Sequence, residues 1–554
     1  LNTQTKLAST RFDLPEIHPF VGADVWSMLN ESAAAVPDKE LLTWQPFDAE
    51  PVVWTYATFL AECREIAAGL QARGIQAGDR VVIHMENCPE FLLAWFACAA
   101  IHAVAVTTNS RSSVDELAYY IDNSGARAAI TQAQFAGLVR EAAPGLEWVS
   151  VVPHAGETDT TAVATEESFA ALHGDPAQLV LPEPDPAAWL CIQYTSGTTS
   201  RPKGVLWTQA NGLWSARVNA LHEGLLASDV HLVYLPLFHT NAMGYSVLAS
   251  IWARARFVLT PKWSTSRFWD ISVAHGCTWL SLVGLSSRAI MDSTPPENHS
   301  YRAFGSGASN PILEEKCGVE SVNWWGMTET VSHGIISDGR ATKLPGSIGR
   351  AAPEYEIAVR RPDGTSVVPG ETGDLYVRGI RGVSLFAEYW NNPEATAEIF
   401  DAEGWMATGD LVRLNDDGSF TFMDRAKDML KIGAENVAAS EIERVIQQVV
   451  GTAEIAVVGR PDDSLDEVPV VFVVDPSPAE GLADHIIDAC RKQLADFKVP
   501  RAVHFVRVLP HSTLNKVNKV ELRRLLAEGA SLSEAQDRWE IADKSDPSGD
   551  ALPG

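Results

Sequence analysis

The chain has 554 residues, more than one hydrophobic core usually organises, so it reads as a large domain with at least one smaller companion. Its 43 basic and 71 acidic residues leave a net charge of −28, which excludes general affinity for nucleic acid or an anionic membrane. Seven scattered cysteines with no CxxC pair fit neither a disulfide framework nor a zinc site, and predict reduced, mostly buried thiols in a cytoplasmic protein.

The first twenty residues lack the apolar run of a secretory signal. From residue 54, Phe59, Cys63, Ile66 and Leu70 recur at helical spacing, and Gly74 stands where a C-terminal cap belongs. The strand candidate DRVVIHM follows, then a helix from Pro89, the strand AVAVTTN, the helix VDELAYYIDNSG and the strand ARAAIT. This alternation predicts βα units on a parallel sheet, hence a layered α/β large domain. The longest apolar run, FLLAWFACAAIHAVAV from Phe91, is shorter than the ~20 residues of a spanning helix and predicts a buried helix passing into a strand, with no integral membrane span. Residues 145 to 186 turn polar and proline-bearing, as a connection would.

Next comes QYTSGTTSRPKGV, residues 193 to 205. Glycine lets a backbone approach phosphate oxygens, hydroxyls donate to them, and lysine supplies a mobile positive charge. The segment is not a Walker loop, because Lys203 is followed by Gly204. On composition alone a flexible linker fits it equally well. Beyond Asp424 the pattern changes to a helix (Glu441 to Val449), the strands AEIAVVG and PVVFVV, a helix (Leu482 to Ala495) and the strand AVHFVRVL, a plausible small α+β domain. After Glu528 the chain is polar and acidic, which reads as a surface tail.

The hydroxyl-rich segment resembles the phosphate loop T-S-G-T-T-G-x-P-K-G of the adenylate-forming superfamily, which includes acyl-CoA synthetases, adenylation domains and luciferases. Thr195, Ser196, Gly197, Thr198, Thr199 and Lys203 match it, and Ser200 replaces a glycine. Other motifs follow in the family's order between about 54 and 525: WWGMTET at 324 to 330, ATGDL at 407 to 411, DRAKDMLKIGAENVAASEIE at 424 to 443 and LPHSTLNKVNKVELR at 509 to 523. The resemblance implies a large N-terminal adenylation domain over 1–423, a hinge at 424–428, a small mobile C-terminal domain over 429–527 and a tail over 528–554. It implies an ATP-dependent acyl-CoA synthetase that makes an acyl-adenylate, releases pyrophosphate and passes the acyl group to CoA. Loading of a carrier protein is the alternative.

The same resemblance assigns roles. Glu329 would hold Mg²⁺ and Thr328 would donate to the α-phosphate, within a segment where Gly326 and Met327 also face nucleotide. Gly307, Ala308 and Ser309 would lie against one face of adenine and Trp325 against the other, although a tryptophan is also an ordinary core residue. Asp410 would accept both ribose hydroxyls, supported by Arg425. Lys516 would bridge the attacking carboxylate and the α-phosphate, with Lys519 the alternative if the register slips by three. Lys427 would be the hinge, and Lys431, Gly433, Ala434 and Glu435 would face the pantetheine of CoA. His239, in PLFHTNAMGY, stands where amino-acid-activating relatives place aspartate, so the acid is expected to lack an α-amino group. A pocket wall over 238 to 247, 280 to 288 and 304 to 309 is largely apolar and suits a medium, branched or ring-bearing acid of fatty acid metabolism. The wording of PLFHTNAMGY and MLKIGAEN also resembles carnitine-type CoA ligases, which leaves a small betaine-like acid open. Homodimerisation is compatible with all of this.

Overall fold

A computed structural model describes residues 17–153, 166–195, 201–337, 343–361, 363–425, 429–433, 435–451, 453–510, 517 and 519–528. Ser196, Gly197, Thr198, Thr199, Lys427, Ala434, Lys516 and the acidic tail therefore lie outside the described residues, and of Arg425 only the backbone is described. The described chain forms two compact units, one from residues within 1–110, 117–195 and 203–426, the other from those within 111–116, 196–202 and 427–554.

In the first unit the expected alternation is present. Helix Tyr56–Ala72 is opened by a capping box at Thr55 and buries Phe59, Cys63, Ile66 and Leu70; Gly74 follows at φ +82°. Strand Arg80–His84 pairs in parallel with both Val104–Thr107 and Ala128–Gln132, inside an eight-stranded sheet. The apolar run from Phe91 lies in helix Pro89–Ala100, whose residues are buried except Glu90, and passes through a turn into strand Val104–Thr107. The polar stretch after residue 145 differs from the sequence reading. Strand Trp148–Val152 pairs in parallel with Ala128–Gln132, and Glu166–Ser168 extends the edge. All seven cysteines are free and buried.

A second sheet of thirteen strands carries a parallel run in which Val230–Val233, Trp279–Ser281, Ala303–Ser306 and Glu320–Trp325 are successive neighbours. The C-terminal ends of Ala303–Ser306 and Glu320–Trp325 thus lie side by side. That end of an open α/β sheet is where ligands bind. At the opposite end His231 is fully buried, and neither ring nitrogen has a hydrogen-bond partner among the described residues. Burial lowers its pKa to about 3.

The unfolded chain takes up a proton at this imidazole below pH ~6.5, whereas the folded chain does not, so the folded state loses stability as pH falls through that window. Relative to His231→Leu, the parent should lose about 2 kcal/mol between pH 7.5 and 5, at about 1.4 kcal/mol per pH unit at the acid end. Urea denaturation of both proteins at the two pH values checks this; equal pH slopes would contradict it.

The second unit contains a five-stranded sheet with helices Ala439–Val450, Leu482–Gln493 and Lys519–Glu528. The predicted strands appear as Ile455–Asp462, Asp466–Val474 and Ala502–Val506, the first two antiparallel and the last two parallel.

Candidate active site

Strands Trp189–Thr195 and Lys203–Thr208 are antiparallel with Thr195 opposite Lys203, so the two ends of the hydroxyl-rich segment stand side by side. The short strand Glu388–Tyr389 pairs with Lys203–Thr208, and the Lys203 ammonium lies 4.7 Å from the centroid of the Tyr389 ring. The Tyr389 hydroxyl donates to Glu329 Oε1 at 2.8 Å, with Glu329 only 4% exposed. Residues 60 and 186 apart in sequence are thereby placed in one array: a lysine, an aromatic ring and an oriented carboxylate.

Glu329 sits in the 3₁₀ turn Thr328–Thr330, which follows strand Glu320–Trp325 after Gly326 and Met327. The turn is clamped at its carbonyls: the Trp207 indole donates to Thr328 O at 2.9 Å and the Phe386 N–H to Glu329 O at 2.9 Å. Val331 closes it at φ +65°, a conformation that is strained for a β-branched residue and persists only where surroundings over-determine it. The side of the turn facing the π-helix Asn241–Leu248 is crowded, since a Cβ at Gly326 would lie 2.5 Å from the Tyr245 hydroxyl. Gly326, Met327 and Thr328 stay partly exposed.

The Trp325 indole donates to Asp410 Oδ2 at 2.8 Å, joining two predicted nucleotide residues 85 apart, both buried. Asp410 follows Gly409, which has φ +75°, and Thr408 Oγ1 accepts from its N–H at 3.1 Å. Across the strand pair Asp410 is in register with Arg425. Gly307 and Ala308 are exposed at the end of strand Ala303–Ser306, whereas Ser309 is buried and tied to residues 346–347 by Ser309 N donating to Ser347 O, 2.9 Å, and Gly346 N donating to Ser309 O, 3.0 Å. His239 is half-buried before the π-helix, its ring 4.5 Å from that of Phe238. Thr240 Oγ1 beside it donates to Gln193 Oε1 at 3.0 Å. A π-helix is a frequent companion of functional sites.

In the second unit, Lys431 and Glu435 lie on the hairpin Met429–Ile432 and Glu435–Ala438. Lys431 is exposed and Glu435 buried, and Gly433 takes φ +63° at the turn. Lys519 Nζ pairs with Glu443 Oε1 at 2.6 Å, a structural use of the lysine that stood as the alternative to Lys516. Tyr389, Trp207 and Val331 carry no signal of this placement in the sequence, whereas Tyr245 lies in the stretch 238 to 247 read as pocket wall. Tyr389 sits in EYWNNPE, where only tertiary pairing reveals its role.

Among the described residues no group of three or more His, Cys, Asp or Glu could hold a metal, and no helix is long and apolar enough to cross a membrane. A single oriented carboxylate near Lys203 is nonetheless a donor set that suits Mg²⁺, which keeps waters and is bound through one or two carboxylates plus substrate phosphates.

The AMP-binding enzyme family matches residues 29–390, and the AMP-binding enzyme C-terminal domain matches 441–516. A crotonobetaine/carnitine–CoA ligase of Escherichia coli O139:H28 is 33% identical over 486 residues, 85% of this chain and 93% of the relative. A double mutant of o-succinylbenzoate CoA synthetase from Bacillus subtilis, bound with a product analogue, superposes with TM-score 0.75 at 26% identity, covering 92% of this chain and 98% of that one. ATP-bound MatB from Rhodopseudomonas palustris gives TM-score 0.65 at 26% identity over 90% and 98%. The CoA ligases among these do not favour a carrier protein as acceptor. The chain belongs to the AMP-binding enzyme family, as an ATP-dependent, AMP-forming acid–thiol ligase of the acyl-CoA synthetase kind.

Proposed function

We propose that the protein joins a small carboxylic acid lacking an α-amino group to CoA, using Mg²⁺-ATP, in the cytoplasm. The observation that carries this reading is the array Lys203–Tyr389–Glu329 together with the Trp325–Asp410 pair, which draws a cation, an oriented hard carboxylate and a buried ribose acceptor from strands of both sheets of the first unit. A carboxylate attacking a triphosphate brings two anions together, so the site must neutralise charge and align the attack.

In this reading Lys203 and the hydroxyls and amides of 195–199 receive the β- and γ-phosphates, and Thr328 donates to the α-phosphate. Glu329 would hold a magnesium ion, which would supply charge neutralisation to the phosphates. Gly307, Ala308, Ser309, Gly326 and Met327 frame the purine, with Trp325 both walling it and fixing Asp410. Lys516 bridges the attacking oxygen and the α-phosphate, and His239 lines the carboxylate end of the acid pocket. The second unit, from about residue 427, then presents Lys431, Gly433, Ala434 and Glu435 to pantetheine for thioester formation, turning at Lys427. The similarity to a ligase named for crotonobetaine and carnitine supports an acid of that small size.

Pyrophosphate release should require both an acid and Mg²⁺ and should cease with EDTA; release without any acid would contradict the reading. Asp410→Ala should raise the KM for ATP about 10- to 100-fold, because a charged acceptor contributes roughly 1.5–3 kcal/mol per hydrogen bond. Steady-state kinetics over ATP concentration reads this, and an unchanged KM would remove the ribose assignment.

A further inference from the structure

In the second unit, the hairpin of strands Met429–Ile432 and Glu435–Ala438 is tied to the rest of its sheet at few points. Strand Ile455–Asp462 is in register with Asp466–Val474 along its whole length, whereas Met429–Ile432 meets that strand in register only through Ile432 and Asp466. Leu430, Ile432 and Val437 are buried in this unit's core, which fixes the face of the hairpin that points inward. The remaining ties come from the connection 462–467. The Gly433 N–H donates to Leu465 O at 2.5 Å. Asp466 takes φ +63°, a left-handed conformation that aspartate tolerates, and the backbone ladder to the hairpin goes no further. The next donor along the hairpin, the Lys431 N–H, is taken up by a side chain instead: Glu467 Oε2 accepts from it at 2.8 Å.

Glu467 is half-buried, and its carboxylate lies over Gly459. Pro461 faces Glu467 across the strand pair, and Gly459, two residues before it, is the diagonal neighbour on the same face. A Cβ at Gly459 would stand 2.5 Å from Glu467 Cδ and 2.6 and 2.8 Å from its two oxygens, so the bare position leaves the carboxylate its path to Lys431. We infer that Glu467, given room by Gly459, is a positioning residue for thioester formation, holding the backbone of the segment that carries Lys431, Gly433 and Glu435. The inference rests on the ligase reading above, in which this segment faces pantetheine. What Glu467 supplies is an acceptor at one backbone donor, and without it that N–H loses its partner. The adenylating residues of the same reading make no use of it.

The test separates the two half-reactions: thioester formation from supplied butyryl-adenylate with CoA concentration varied, and single-turnover pyrophosphate release from butyrate and Mg²⁺-ATP without CoA. Glu467→Ala should lower kcat/KM for CoA about 10- to 100-fold, mainly through KM, the upper end being the cost of a misplacement of about 1 Å. Pyrophosphate release should be unchanged. Glu467→Gln keeps an acceptor of the same reach and should recover most of the loss. Gly459→Ala fills the path of the carboxylate; the group that must give way is the tip of a flexible side chain, so the fold should survive and the KM for CoA should rise as in Glu467→Ala. The double variant should be no worse than either single one, because both remove the same hydrogen bond. An unchanged KM for CoA in both Glu467→Ala and Gly459→Ala overturns the inference and leaves the ligase reading intact. Equal losses in the two half-reactions do the same, since a merely structural role would also disturb residue 516 of the same unit. A parent that forms no butyryl-CoA from the adenylate and CoA overturns that reading and this inference together.

Discussion

Replacing Lys516 with alanine should lower pyrophosphate release on the order of 10³-fold while thioester formation from supplied acyl-adenylate and CoA largely persists. In the proposed mechanism the charge of this lysine is needed when the carboxylate oxygen and the α-phosphorus approach, so its loss should raise the barrier of adenylation and little else. A single preorganised donor removed from a developing oxyanion costs 10²- to 10³-fold, and a full positive charge between two anions stands at the upper end. Lys519 supplies the control. It is held by Glu443 within the second unit, so Lys519→Ala should change stability more than rate. Loss of adenylation in Lys519→Ala with Lys516→Ala unaffected would mean that the motif is read three residues out of register.

Glu329→Gln should reduce the first half-reaction about 10²-fold or more, and the loss should not be recovered at high Mg²⁺. The amide keeps the shape of the side chain and can still accept from Tyr389, so the change removes charge rather than packing. Tyr389→Phe tests the support. Without the hydroxyl the carboxylate keeps its charge but loses its orientation, and the expected cost is about 10-fold, as for other groups that orient a metal-binding residue. That loss should appear in the Mg²⁺ concentration needed for half-maximal rate. A Glu329→Gln enzyme with parental rate and parental Mg²⁺ dependence would contradict the assignment.

The helices and buried strands of the first unit are legible because their apolar residues repeat at 3.6 or run continuously, as in Phe59 to Leu70 and Val104 to Val106. Strand Trp148–Val152 was hidden because its five residues stand in a polar, proline-bearing stretch and gain their partner only by parallel pairing with Ala128–Gln132. The candidate site divides the same way. Glu329, Asp410 and Lys203 are named by local motifs, because each stands in a short contiguous pattern. Tyr389, Val331 and Trp324 take their positions from tertiary structure: a hydroxyl aimed 60 residues back, a strained turn, and an indole laid across Gly305. No local pattern encodes these. The indole of Trp325 reaching Asp410 belongs with them, because the motif shows an aromatic ring but not where its N–H points.

The central claim is tested most directly by product identity in a single turnover with butyrate, Mg²⁺-ATP and CoA, followed by phosphorus NMR of the quenched mixture and mass spectrometry of the thioester. The account predicts one AMP, one pyrophosphate and one butyryl-CoA per ATP consumed, with acyl-adenylate accumulating when CoA is left out. ADP and inorganic phosphate, or AMP formed with no thioester in the presence of CoA, would contradict it.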